Sequence, residues 1–188
     1  MIALPPVIGF CGAAGAGKST AAHWLTSRHG YRRERFAGPL KDMLRAFGLT
    51  AAEVDGDRKE TPLDVLCGRT PRQAMQFLGK EWGRDLLGPD VWVAAWSRRA
   101  DAIGACGGTV VADDVRFLNE AQAIRARGGV VVRIRRDGAA SASGAGHASE
   151  AMGFQWDFEI VNPGADLRAL YDVLDAWLMR LPARALTG

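Results

Sequence analysis

The octet Gly12-Ala13-Ala14-Gly15-Ala16-Gly17-Lys18-Ser19 fits the spacing G-x-x-x-x-G-K-[ST] at every fixed position. Residue types in this order do anion chemistry. Glycines at 12, 15 and 17 carry no Cβ, so successive backbone N–H groups can converge on a phosphate. Lys18 adds a positive charge, and the Ser19 hydroxyl can ligate Mg2+. Such a loop needs an acidic partner for its metal, and Val110-Val111-Ala112-Asp113-Asp114 ends an apolar run in two carboxylates. Alternation along a strand sends the two to opposite sides, so one faces the metal while the other caps the next helix. The spacing leaves open which of Asp113 and Asp114 does which.

Phosphoryl transfer asks a protein for cations around the transferred group more than for covalent work. The arginines in question are Arg116, just past the acidic strand end, and Arg133, Arg135 and Arg136, where a strand runs into a Gly/Ala/Ser-rich stretch. An acceptor has to be bound by the middle of the chain. Arg72 and Gln76 stand four apart on one expected helix, so a guanidinium and an amide project together to hold a phosphate and a base edge. Lys41 and Arg45 repeat that spacing, and Arg84 with Trp92 offers another cation and a stacking face.

These groups need a strand before the loop and a helix after it. Val7 to Cys11 reads as a buried strand, and Ser19 to His29 as a helix whose N-terminus faces the phosphates. A short strand is expected over Tyr31 to Phe36 and a helix over Ala37 to Phe47, entered through Gly38-Pro39. Thr50-Ala51-Ala52-Glu53 and Thr70-Pro71-Arg72-Gln73 have capping-box spacing and open helices, with Asp55 to Thr61 an exposed loop between them. Asp90 to Ile103 reads as a long helix with Trp92, Trp96 and Ile103 on one face, where a core role is the default. Strand, helix and strand then follow at Thr109 to Asp114, Asn119 to Arg127 and Gly129 to Ile134. Asp137 to His147 is almost all Gly, Ala and Ser and reads as a flexible lid. A last strand, Phe158 to Asn162, and a closing helix with Leu167, Leu170, Leu174 and Trp177 complete a parallel α/β sheet.

The 188 residues, 48% of them hydrophobic, suffice for one substantial core. With 24 Lys and Arg against 21 Asp and Glu the net charge is only +3, and the basic residues are scattered except for the doublet Arg32-Arg33 and the stretch Arg133 to Arg136, which argues against a nucleic-acid surface. Cys11, Cys67 and Cys106 are far apart, fitting neither a disulfide framework nor a metal knuckle but a reducing cytoplasm. No run approaches the length of a membrane span, and Met1 to Pro6 lacks the regions of a signal peptide.

Taken in order, several blocks resemble the bacteriophage-type deoxynucleoside monophosphate kinases of the P-loop kinase group. They are Gly12 to Ser19; Phe36-Ala37-Gly38-Pro39-Leu40-Lys41; Thr70-Pro71-Arg72 with Gln76-Phe77-Leu78-Gly79 and Glu81-Trp82-Gly83-Arg84; Asp114-Val115-Arg116-Phe117 with Asn119-Glu120-Ala121; and His147-Ala148-Ser149-Glu150. Two positions depart from the family pattern, Leu118 standing for a proline and Lys80 for a small residue, the second adding charge near the expected acceptor site.

The resemblance implies a three-layer α/β P-loop fold, nucleoside monophosphate kinase-like, with a mostly parallel five-stranded sheet. It implies a single domain over 1–188, with a core at about 6–36 and 104–180, an acceptor-binding helical region at about 37–103 and a lid at about 135–150. The activity implied is transfer of the γ-phosphoryl group of Mg·ATP to a deoxynucleoside monophosphate. Gly12, Ala13, Gly15, Ala16, Gly17, Lys18, Ser19, Thr20, Asn162 and Pro163 are expected to bind ATP, the last two beside the adenine. Lys18, Arg72, Arg116, Arg135 and Arg136 are expected in catalysis, and Ser19 with Asp113 or Asp114 at the Mg2+. Lys41, Arg45, Arg72, Gln76, Arg84, Trp92 and Glu150 are expected at the acceptor. The expected partners are these small molecules, with no nucleic acid and no membrane, in the cytoplasm of a bacterial or phage-infected cell; a homodimer is left open. The rival readings are a kinase for another phosphorylated metabolite, such as dephospho-coenzyme A, and a nucleotide-dependent switch.

Overall fold

The structure, a computed structural model, describes residues 4–136 and 153–181. The Gly/Ala/Ser-rich stretch expected to form the lid, Glu150 and most of the C-terminal tail lie outside the described residues. Five strands, β1 (Val7–Cys11), β2 (Arg32–Arg33), β3 (Val110–Ala112), β4 (Val130–Arg136) and β5 (Phe158–Asn162), form one sheet in the order β2-β3-β1-β4-β5. Every pairing is parallel. Parallel strands are covered on both faces, which is why β1 and β3 are continuous apolar runs and are buried at every position.

Alternation along the strands assigns side chains to the two faces. Ile8 and Phe10 of β1, Val111 of β3, Val132 and Ile134 of β4 and Ile160 of β5 pack in one cluster with α1 (Lys18–His29) and α7 (Leu167–Arg180). The helices contribute Trp24, Leu25, Leu170, Leu174 and Trp177 to that cluster. Side chains of this size gain roughly 1.5–3 kcal/mol each on full burial, so this face supplies much of the hydrophobic stabilisation. On the other face α6 (Leu118–Arg125) comes so close that a Cβ on Gly9 would fall 2.3 Å from the Ile124 side chain. The result is the three-layer arrangement expected, with the phosphate loop at the carboxyl end of β1 next to the strand-order reversal.

Contacts divide the chain into two units, Met1–Glu34 with Arg99–Gly188, and Arg35–Arg98. The second unit is helical: α2 (Gly38–Ala46), α3 (Ala51–Val54), α4 (Pro71–Phe77), a π-helical stretch Leu78–Leu87 and the start of α5 (Val91–Ala105). Leu44, Leu49 and Val54 form its small core with Leu63, Leu66, Met75 and Leu78 against them, and Phe36 stacks on Trp96 at 4.4 Å. Both capping boxes form. The Thr50 N–H donates to Glu53 at 2.8 Å and the Thr70 N–H to Gln73 at 3.0 Å, satisfying donors that the first helical turn leaves open.

Two expectations need correction. The strand expected over Tyr31 to Phe36 is only Arg32–Arg33, because Tyr31 turns inward to donate its hydroxyl to the Pro5 carbonyl at 2.6 Å and Phe36 joins the second unit. The segment Asp55 to Thr61 is not a plain exposed loop. Asp57–Glu60 makes a 3-10 turn, and Asp55 is half-buried among Arg35, Lys41 and Arg45.

The phosphate loop leaves β1 through Gly12 at φ 130°, where a Cβ would sit 2.2 Å from the Ile134 carbonyl oxygen of β4. Gly15, at φ 76°, has nothing within 4 Å of such a Cβ. Gly15→Ala is therefore expected to cost only the left-handed penalty, about 1–2 kcal/mol. Gly12→Ala adds an overpacking cost of roughly 1–3 kcal/mol, because backbone rather than a flexible side chain must yield. Urea unfolding of both variants checks the order; equal losses would refute the packing argument.

Candidate active site

The loop is held from behind by side chains its own sequence does not contain. Asn162, buried at the end of β5, donates its amide to the Ala16 carbonyl at 2.9 Å and accepts from the Gly164 N–H at 3.0 Å. Both ends of that amide are thereby used inside the protein, so what Asn162 does here is pin the loop. Pro163, expected with it beside an adenine, is exposed on the turn that follows. Arg136 reaches over the same place, its guanidinium 3.4 Å from both the Gly15 and the Gly164 carbonyls. Lys18 folds back to donate to the carbonyls of Gly12 at 2.8 Å and Ala13 at 2.6 Å. Burial, and next the Arg116 guanidinium, push its ammonium below the ordinary lysine value. An ammonium in that position gains from any anion that enters the loop.

At the acidic strand end the two aspartates differ in their surroundings. Asp113 lies two residues beyond Val111, on the face α1 covers, and accepts a hydrogen bond from the Ser19 hydroxyl at 2.7 Å. Its side chain is only 3% exposed, and the fork of Arg33 closes on it: Nε donates to Oδ1 at 2.9 Å and Nη2 to Oδ2. Asp114 is half-exposed. Arg33 escaped the sequence reading, where it was one of a basic doublet; its partner is 80 positions away, and no local periodicity signals such a contact.

The remaining cations separate by strand face. Arg136 points to the loop, whereas Arg135, one residue earlier, faces Glu159 at 3.5 Å together with Arg133, which also lies over the Trp156 ring at 4.4 Å. Alternation thus puts Arg135 and Arg136, both expected in catalysis, on opposite faces, with Arg136 on the side of the loop. Arg116 is exposed beyond β3, and its turn is fixed by buried Glu120, whose carboxylate accepts from the Arg116 N–H at 2.7 Å and the Phe117 N–H at 3.1 Å.

In the second unit, Lys41 and Arg45 do share a helix face, and both reach Asp55, at 2.7 Å and 2.5 Å, where Arg35 joins them at 2.9 Å. Burial works to raise the Asp55 pKa, but the hydrogen bond from Lys41 and the Arg35 charge outweigh it and hold the carboxyl down to about 2. Arg72 and Gln76 are exposed on α4, with Arg72 paired to Glu60, and Arg84 donates to the Pro89 carbonyl at 3.1 Å. Trp92 is not a stacking face. It is 4% exposed, it donates its indole N–H to the Gly79 carbonyl at 2.9 Å, and it packs under Gly83.

Among the described residues no three His, Cys, Asp or Glu side chains gather as a self-contained metal cage. The donor set at the loop is instead one hydroxyl and one carboxylate oxygen. That suits a hard cation such as Mg2+, which keeps several waters and takes one or two carboxylates with nucleotide phosphates. Ser19 and Asp113 fit that requirement. No helix of the described residues is long and apolar enough to cross a membrane.

No protein-family model matches the chain. A solved sugar kinase from Janibacter sp. HTCC2649 aligns over 97% of this chain and 98% of its own at 15% identity, with a TM-score of 0.43, too distant to bear on function. A curated protein of Acanthamoeba polyphaga mimivirus, named "Putative deoxynucleotide monophosphate kinase", is 37% identical over 150 residues, which cover 72% of this chain and 76% of the viral one. With a phosphate loop, an acidic strand end bonded to its serine and a likeness of that extent, the chain belongs to the deoxynucleoside monophosphate kinase family of P-loop kinases.

Proposed function

We propose that the chain moves the γ-phosphoryl group of Mg·ATP onto the phosphate of a deoxynucleoside monophosphate, giving the deoxynucleoside diphosphate and ADP. The observation that carries this reading is the bond from Ser19 to Asp113 at the mouth of a complete phosphate loop, in a chain of this family. Ser19 and Asp113 would hold Mg2+, which when bound supplies positive charge to the donor phosphates. Lys18 exchanges its two loop carbonyls for phosphate oxygens and follows the charge as it moves to the acceptor. Arg116, close enough to bear on Lys18, and Arg136, above Gly15, neutralise the equatorial oxygens. The acceptor is itself an anion, so no side chain has to take a proton. On the second unit, Arg72 pairs with the acceptor phosphate and Gln76 reads the base edge, with Lys41 and Arg45 adding charge.

Lys18→Ala is expected to lower kcat by at least about a hundredfold, some 2.7 kcal/mol of transition-state stabilisation, with the thermal midpoint unchanged, because the side chain serves the loop and not the core. Activity within about tenfold of the parent would remove Lys18 from the mechanism. Asp113→Asn should raise the Mg2+ concentration for half-maximal activity, and Asp114→Asn should not; the reverse order would move the metal to Asp114.

Arg72 and Gln76 make the acceptor assignment testable by kind of effect. Arg72→Ala should lower kcat/KM for every monophosphate by a similar factor, on the order of 1.5–3 kcal/mol, with the ATP KM little changed. Gln76→Ala should reorder the preference among deoxyguanosine, thymidine, deoxycytidine and deoxyadenosine monophosphates, since only a group touching the base discriminates between bases. If both variants weaken ATP instead, α4 belongs to the donor side. Slow hydrolysis indifferent to every monophosphate would favour a nucleotide switch.

A further inference from the structure

We infer that Arg33 is a positioning residue for the metal site: its guanidinium fork fixes the Asp113 carboxylate and, through it, the direction in which the Ser19 hydroxyl offers its lone pairs to a divalent cation. The inference rests on the reading of Ser19 and Asp113 as the Mg2+ pair. Its geometry follows from strand register. Arg33 of β2 lies opposite Val111 of β3, and Asp113 is two residues further along the same face, within reach of a long side chain from the neighbouring strand.

A carboxylate rotates easily about its last torsion, and a single hydrogen bond from Ser19 does not define its plane. Two N–H groups in a rigid fork do, because Nε takes Oδ1 while Nη2 takes Oδ2. Oδ2 is then held where the Ser19 hydroxyl donates to it at 2.7 Å. A hydroxyl that has committed its proton in one direction keeps its lone pairs for another, and those are what a hard cation needs. Lysine at 33 can supply the charge but not the fork. Arg33 itself stays about two-thirds shielded, and as a cation it offers the metal no donor atom. Its influence therefore runs through Asp113.

The test is equilibrium binding of a fluorescent ATP analogue to the full chain with and without Mg2+, which reads metal linkage without turnover. In the parent, Mg2+ is expected to tighten binding by on the order of tenfold. In Arg33→Ala that factor should fall below about threefold, and in Arg33→Lys it should lie between the two, while metal-free nucleotide affinity stays the same. Thermal midpoints recorded without Mg2+ accompany each variant, and Arg33→Lys keeps the test alive if the alanine variant does not fold. A lower midpoint with the full Mg2+ factor retained would make Arg33 merely structural and overturn the inference. If Asp113→Asn loses the factor while Arg33→Ala keeps it, the metal reading survives and the role of Arg33 falls. Should neither variant alter the factor, the metal pair itself is misassigned and the inference falls with it.

Discussion

A carboxylate that is almost wholly buried has to find compensation inside the protein, and Asp113 finds it in the Ser19 hydroxyl and the Arg33 guanidinium. The three side chains come from the first turn of α1, the edge strand β2 and the end of β3, so one charge ties together elements that the chain order separates. Breaking any one contact leaves the others partly unpaired in a shielded place, where an unmet polar group is costly. Neighbouring groups are placed by the same elements: the helix that carries Ser19 also carries Lys18, and the strand that carries Asp113 leads into the turn that carries Arg116.

The loop between β1 and α1 has the opposite problem. Its N–H groups must stay available for an anion, so it is held by its outer side. Gly12 lies against the Ile134 carbonyl, the Asn162 amide takes the Ala16 carbonyl, and Arg136 reaches the Gly15 carbonyl. Lys18 meanwhile rests on two carbonyls, with burial and Arg116 both disfavouring its charge. A negative charge arriving beside Lys18 would offset both influences, so the ammonium gains more from an anion than from a neutral group.

The helical unit gathers several of its cations on one carboxylate. Asp55 gathers Arg35, Lys41 and Arg45, whose hydrogen bonds and charge hold its carboxyl well below the usual carboxylate range, so the cations expected at an acceptor are already oriented by a carboxylate rather than dispersed in solvent. Two capping boxes and a first-turn proline, all properties of neighbouring residues, start the helices that carry them.

What the sequence determined by itself is what short spacing controls. The phosphate octet, the β5 limits, the two capping boxes and the apolar faces of α5 and α7 are set by residues within one turn or one strand, and these were legible. Tertiary structure alone decided the rest. Which aspartate meets Ser19 depends on the face β3 presents to α1, and which of Arg135 and Arg136 reaches the phosphate loop depends on the face of β4 that lies beside it. Arg33 is the clearest case, since its partner is 80 residues away and only the β2–β3 register brings them together. A contact of that separation leaves no periodic mark on the sequence, because periodicity records which face a residue occupies and not what lies across from it.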